Sequence, residues 1–275
     1  MSKLRYLAPN AITLGAMACG LGGMVLAHRG AYVDAGWLLL LATFLDRADG
    51  LVARRLRATS AFGVQMDSFA DFFNFGVVPA FIIYTALASA PGLPFASGAG
   101  HVALMVVAAV WVLCATYRLA RFNVITDEPA YRGLFFGIPT TLAAGTLATW
   151  FLTLMKYAAP DNPVGARATF TDPRLLGDLA IPAAGWSYFL GGMVFLAILM
   201  VSNLRVKKPG VGRTPAGIAL GVLSAGGLAC AIFRSLPEYM ITIPSGFIVI
   251  WLFRQLSPEL RAIPAPPFIP GRSGE

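Results

Sequence analysis

Residues 46–71 read DRADGLVARRLRATSAFGVQMDSFAD, which spaces out as D-x2-D-G-x2-A-R-x8-G-x3-D-x3-D. The stretch holds Asp46, Asp49, Asp67 and Asp71, four of the chain's 13 acidic residues. On a helix, steps of three and four residues fall on one face. That places Asp46, Asp49, Gly50 and Ala53 together, with Arg54 beside them. Beyond a break near residues 58–63, Gly63, Asp67 and Asp71 form a second stripe. Two helices joined by a short turn can therefore aim two carboxylate pairs at each other. In a membrane each Asp at a helix centre costs roughly 2.5–3.5 kcal/mol, so four cost on the order of 10–14 kcal/mol unless interfacial or paired. Hard oxygen ligands converging in a polar pocket suit Mg or Mn, singly or as a pair. The glycines and Ala53 let a bulky ligand approach the helix closely, and Arg54 supplies a forked cation suited to phosphate.

The rest of the chain sets that motif in a bilayer. Of 275 residues, 57% are hydrophobic and 12% charged, and mean hydropathy is +0.70, which reads as a polytopic membrane protein. The net charge of +8 marks cytoplasmic loops and contact with anionic lipid. No run of basic and aromatic residues points to nucleic acid. Cys19, Cys114 and Cys230 lie in separate apolar stretches, with neither metal-site nor disulfide spacing. The first apolar run is spanning length without a clear cleavage site, so it is expected to be a span and not a signal peptide.

The expected architecture is all-α, with about eight transmembrane helices near residues 8–27, 32–54, 67–87, 101–120, 133–157, 179–201, 214–233 and 239–256. Basic residues alternate accordingly: Lys3 and Arg5, Arg54 to Arg57, Arg118 to Arg132, and Arg205, Lys207, Lys208 and Arg213 fall on one side. By the positive-inside rule that side is cytoplasmic, with both termini and the motif between helices 2 and 3. Residues 1–260 form one membrane catalytic domain, and the Pro-rich tail 261–275 is expected to lack fixed structure. Asn10 and Thr13, three apart in Pro9-Asn10-Ala11-Ile12-Thr13, either cap a helix or face one ligand. Arg118 and Arg121, also three apart, are either topology anchors or an anion site suited to a carboxylate, with Asn123 following.

The eight spaced positions of 46–71 match the signature of the CDP-alcohol phosphotransferases without departure. Two further stretches, Arg118-Leu-Ala-Arg-Phe-Asn123 followed by Phe135-Phe-Gly-Ile-Pro139, and 60–80, resemble the bacterial phosphatidylserine synthases of that superfamily. The similarity runs over about residues 9–149. One departure is mild: the family often has Leu-Pro-Ser/Cys-Pro where this chain has Ile138-Pro139-Thr140-Thr141, in the wall of the alcohol pocket. The resemblance implies a multi-pass enzyme of the cell (inner) membrane, and a homodimer. It implies transfer of a phosphatidyl group from CDP-diacylglycerol to L-serine with release of CMP, with two Mg or Mn ions as cofactors. It assigns Asp46, Asp49, Asp67 and Asp71 to metal and Asp71 to the base. Asn10, Thr13, Gly50, Ala53, Arg54 and Ser60 are assigned to CDP-diacylglycerol, and Arg118, Arg121 and Asn123 to serine. Glycerol 3-phosphate, inositol or choline as acceptor stays open, as does a different class, a divalent-cation transporter or a membrane scaffold.

Overall fold

The computed structural model describes residues 4–58, 60–125, 128, 131, 133–165, 168–207 and 215–268. Lys3, Arg132, Lys208, Arg213 and the tail end 269–275 lie outside them. The chain is a helical membrane protein. Its elements are α1 (Leu4–His28), α2 (Tyr32–Arg55), α3 (Ala61–Asp71), a π-helical segment (Phe72–Val77), α4 (Val78–Ala88), α5 (Gly98–Ile125), β1 (Leu134–Phe136), α6 (Thr140–Lys156), α7 (Gly185–Val201), β2 (Arg205–Lys207), α8 (Pro215–Phe233), α9 (Pro237–Arg254) and α10 (Pro258–Arg261). Among the described residues, Tyr6–His28, Ala61–Ala88 and Gly98–Ile125 are long and apolar enough to cross a bilayer. α2 is also long, but it carries the acidic motif and two terminal arginines.

Several boundaries differ from the hydropathy reading. The third long helix starts at Ala61, because Ser60 caps it: the residue is extended (φ −141°, ψ 154°) and its hydroxyl accepts the Gly63 N–H at 3.0 Å. α2 ends just before Arg57, which takes a left-handed conformation (φ 49°). The fifth helix starts at Thr140, not near 133, because 134–136 pair antiparallel with β2, Phe136 facing Arg205. Gly137 then turns at φ 72°, where a Cβ would lie 2.2 Å from the Met200 carbonyl oxygen. The sixth helix starts at Gly185; Pro182 and Ile181 belong to the preceding loop, whose Ile181 exchanges hydrogen bonds with Tyr157 and Ala159.

The α3–α4 helix is continuous but wound wider at 72–77, and Pro79 accounts for part of that. A proline has no N–H for the carbonyl four residues back, here Phe75. Trp111 of α5 supplies the donor instead, its Nε1–H reaching the Phe75 oxygen at 3.0 Å. The same segment buries Asn74 against Gly20 of α1, where a Cβ would lie 2.1 Å from Asn74 Oδ1. α1 packs along α2, and α6 between α2 and α9. Trp37, Leu40, Phe75, Leu147, Phe151 and Trp186 fill the core between them.

α6 carries Thr141 at one end and Lys156 at the other, about 22 Å apart by helical rise. At the Lys156 end lies a buried charge network. Lys156 Nζ pairs with Asp172 at 2.5 Å and Glu238 at 2.8 Å and donates to the Pro173 carbonyl at 2.8 Å. The Tyr157 hydroxyl donates to Glu238 at 2.5 Å and accepts the Leu176 N–H at 2.9 Å. The network staples the α6–α7 loop to the ends of α6 and α9. Burial pushes the Asp172 carboxyl up, but its bonds to Lys156 and the Leu236 N–H outweigh that and hold it below its ordinary value. A depressed carboxyl contributes stability above its unfolded pKa of about 3.9, and that contribution is lost as pH falls through the folded value. Lys156→Met should cost roughly 3–5 kcal/mol by leaving two buried carboxylates without their cation. The check is thermal unfolding in detergent; an unchanged melting temperature would show that the network is not a tie.

Candidate active site

The acidic motif comes together as two helices facing each other. Asp46 and Asp49 come from α2, Asp67 and Asp71 from α3. Carboxylate oxygens of Asp46, Asp49 and Asp67 all lie within 4.8 Å of one another. Asp71 lies in hydrogen-bond contact with Asp46, an arrangement that needs a proton or a cation between the two carboxylates. Its Oδ1 is buried and has no partner. Hard oxygen donors this close, and orphaned in this way, fit a divalent cation.

Neighbouring hydroxyls orient these carboxylates. Thr13 of α1 donates to Asp49 Oδ2 at 2.6 Å and also lies 3.1 Å from the Pro9 carbonyl oxygen. The Pro9 carbonyl and the Asp49 carboxylate are thus both within reach of the one Thr13 O–H, which places Thr13 at the acidic cluster. Thr141 of α6 lies 3.4 Å from Asp46 Oδ2. Residues 13 and 141 are remote in sequence from the motif, and sequence spacing gave no sign of either bond. The departure at Ile138–Thr141 was the one hint that Thr141 borders the site.

Several of the positions expected at the CDP-lipid are neighbours of one another. Arg54 folds back over Gly50, its Nη1 lying 3.4 Å from where a Gly50 Cβ would stand. At Gly63 a Cβ would meet Ser60 Oγ at 3.2 Å and Asn10 Oδ1 at 3.5 Å, so Asn10, Ser60 and Gly63 are neighbours. Ala53 is half-buried on the same helix as Gly50.

The two arginines of α5 part company. Arg118 is 6% exposed, lies beside Asp71 and over the Phe122 ring at 4.8 Å, and leaves its Nε without a partner. Arg121 instead donates to Asn203 Oδ1 at 2.5 Å, the Pro266 carbonyl at 3.1 Å and the Val201 carbonyl at 3.4 Å. The tail, expected to lack fixed structure, thus lies against α5 through residue 268. Phe268 stacks on Tyr117 with ring centroids 4.6 Å apart, and its carbonyl accepts the Tyr117 hydroxyl. Asn123 is exposed and ties α5 to α3 through Ser68 Oγ at 3.1 Å. The structure does not bring Arg121 or Asn123 to the carboxylates as it does Arg118.

The family model for CDP-alcohol phosphatidyltransferases matches residues 6–171, more than half the chain. The chain belongs to the CDP-alcohol phosphatidyltransferase family. This family member is 34% identical over 200 residues to a Helicobacter pylori (strain J99) protein named CDP-diacylglycerol–serine O-phosphatidyltransferase, covering 73% of this chain and 71% of that one. A Mycobacterium tuberculosis (strain H37Rv) protein of the same name is 28% identical over 239 residues, 85% of this chain and 72% of that one. An archaetidylserine synthase of Methanothermobacter thermautotrophicus is 33% identical over 147 residues, 53% of this chain and 58% of its own. The matched region runs from Tyr6, within α1, to beyond α6 and so holds every carboxylate of the cluster.

In this phosphatidyltransferase the Thr13 hydroxyl donates to Asp49, a member of the cluster that could hold a cation. Removing a partner that orients a metal ligand typically costs about 10–100-fold in metal affinity. Thr13→Val should weaken Mn binding by about that factor, as isothermal titration of purified protein would read it. Equal affinity in the variant would remove Thr13 from that role.

Proposed function

We propose that the chain is a CDP-diacylglycerol–serine O-phosphatidyltransferase. The observation that carries the reading is the convergence of Asp46, Asp49 and Asp67 within 4.8 Å, with Asp71 touching Asp46 and Arg118 beside Asp71. The names of the relatives support serine as the acceptor. In the proposed reaction the serine hydroxyl oxygen attacks the lipid-linked phosphorus of CDP-diacylglycerol. A new phosphorus–oxygen bond forms, the bond to CMP breaks, and CMP leaves with its electron pair. The serine proton passes to the Asp71 carboxylate.

Asp46, Asp49, Asp67 and Asp71 would hold the divalent ions, Mg or Mn and two in number. When bound, such ions neutralise pyrophosphate charge and favour the leaving phosphate. Asn10, Thr13, Gly50, Ala53, Arg54 and Ser60 form the rim for the cytidine diphosphate: the small residues allow close approach, and Arg54 offers a fork to a phosphate. Arg118 is the guanidinium placed for the carboxylate of serine. Arg121, engaged by Asn203 and by the tail, positions the cytoplasmic rim, and Asn123 fixes α5 to α3. The chain would lie in the inner cell membrane as about eight helices, both termini cytoplasmic, and pair as a homodimer.

Purified protein in detergent with CDP-diacylglycerol and Mn should release CMP with serine and not with glycerol 3-phosphate, inositol or choline. Release with another alcohol alone would replace the acceptor, and transport of the cation without CMP release would replace the enzyme. Asp71→Asn should lower turnover by at least about 100-fold while CDP-lipid binding survives. Arg118→Ala should raise the serine KM about tenfold or more, the loss of one charge-assisted pair, and leave the CDP-lipid KM near its starting value. A larger effect from Arg121→Ala on the serine KM would reverse the division between the two arginines.

A further inference from the structure

At the C-terminal end of α9 a cavity of about 70 Å³ is lined by Arg205, Trp251, Arg254, Gln255, Ser257, Glu259 and Leu260. It lies beyond residues 6–171 matched by the family, and it is separate from the carboxylate cluster. Its floor is built with care. Gln255 Oε1 accepts the Arg205 N–H at 2.9 Å and its Nε2 donates to the Arg205 carbonyl at 2.6 Å. The side-chain amide thus acts as a strand partner on the free edge of β2, whose other edge pairs with β1. That clamp fixes the base of the Arg205 side chain. Its Nε is buried with no partner, and among the described residues no carboxylate pairs with Arg205 or Arg254. Glu259 lines the same cavity without pairing to either arginine.

Two unpaired guanidiniums against one glutamate, with Ser257 and Trp251 in the same lining, make an anion receptor. A partly buried guanidinium without a counter-charge is costly, and an incoming anion removes that cost. The setting says which anion. Val249, Ile250 and Phe253 are exposed apolar residues on the last turns of α9, which ends at Arg254, and Leu256, also exposed, follows it. Arginine and tryptophan at such a boundary sit at headgroup level. We propose that this cavity binds a phosphate group, that of an anionic phospholipid whose chains lie along the exposed face of α9. The site is tied to the reaction's neighbourhood by short backbone links: Phe136 pairs with Arg205, and Gly137 donates to the Leu204 carbonyl at 2.9 Å just ahead of Thr140 and Thr141.

The test uses the full chain in phosphatidylcholine nanodiscs that contain either brominated phosphatidylglycerol or brominated phosphatidylcholine. The signal is the part of tryptophan quenching that Trp251→Phe removes. The anionic lipid should quench it more than the zwitterionic lipid at equal content. Arg254→Gln, an exposed change without folding risk, should reduce that excess, and Arg205→Gln with Arg254→Gln should weaken binding about tenfold or more. No excess, combined with a rise in melting temperature on adding inorganic phosphate that the double variant loses, would keep the phosphate site and assign it to free phosphate. An excess that survives the double variant, or neither effect, would overturn the proposal.

Discussion

Four carboxylates brought together between two helices of an apolar bundle repel one another unless a proton or a cation lies among them. The rest of the fold can be read as the means of keeping that arrangement. α2 and α3 bring the two pairs face to face, with a left-handed Arg57 ending one helix and the Ser60 cap starting the next. Thr13 and Thr141 then reach in from α1 and α6, so the cluster is gripped from four helices and not only from its own two. Arg118 adds a buried positive charge beside Asp71.

Pro79 shows how the frame accommodates strain near this site. Its missing N–H would leave the Phe75 carbonyl without a partner in the middle of a buried helix, at a cost of about 1–3 kcal/mol. Trp111 repairs this from α5, and the wider turn at 72–77 seats Asn74 in the notch left by Gly20. The α5 helix that supplies Trp111 also supplies Arg118 two turns on. Packing and chemistry are therefore set by the same contact between α3–α4 and α5.

Much of this was legible in the sequence. The spacing of Asp46, Asp49, Asp67 and Asp71 implied the facing pairs, because helical period alone puts those residues on inner faces. Hydropathy pointed to the long apolar helices Tyr6–His28, Ala61–Ala88 and Gly98–Ile125, since lipid exposure demands apolar side chains. What it missed has one physical character. The β1–β2 ribbon, the Gln255 clamp and the Lys156–Asp172–Glu238 network join residues 16 to 82 positions apart, and periodicity carries no information about such pairs. The two arginines of α5 illustrate the limit best. Sequence spacing put Arg118 and Arg121 on one face, yet a step of three residues turns a long side chain by about 60°. That rotation was enough to send one toward Asp71 and the other toward Asn203 and Pro266.

The central claim is that the facing Asp pairs exist to hold divalent cations. Electron paramagnetic resonance of Mn titrated into purified, metal-free protein tests it most directly. The account predicts that the free-ion signal disappears until the sites fill, with spin coupling between neighbouring ions at saturation, and that Asp67→Asn abolishes the coupling. A full-strength free Mn signal from the first addition, or tight binding that Asp67→Asn leaves untouched, would contradict it.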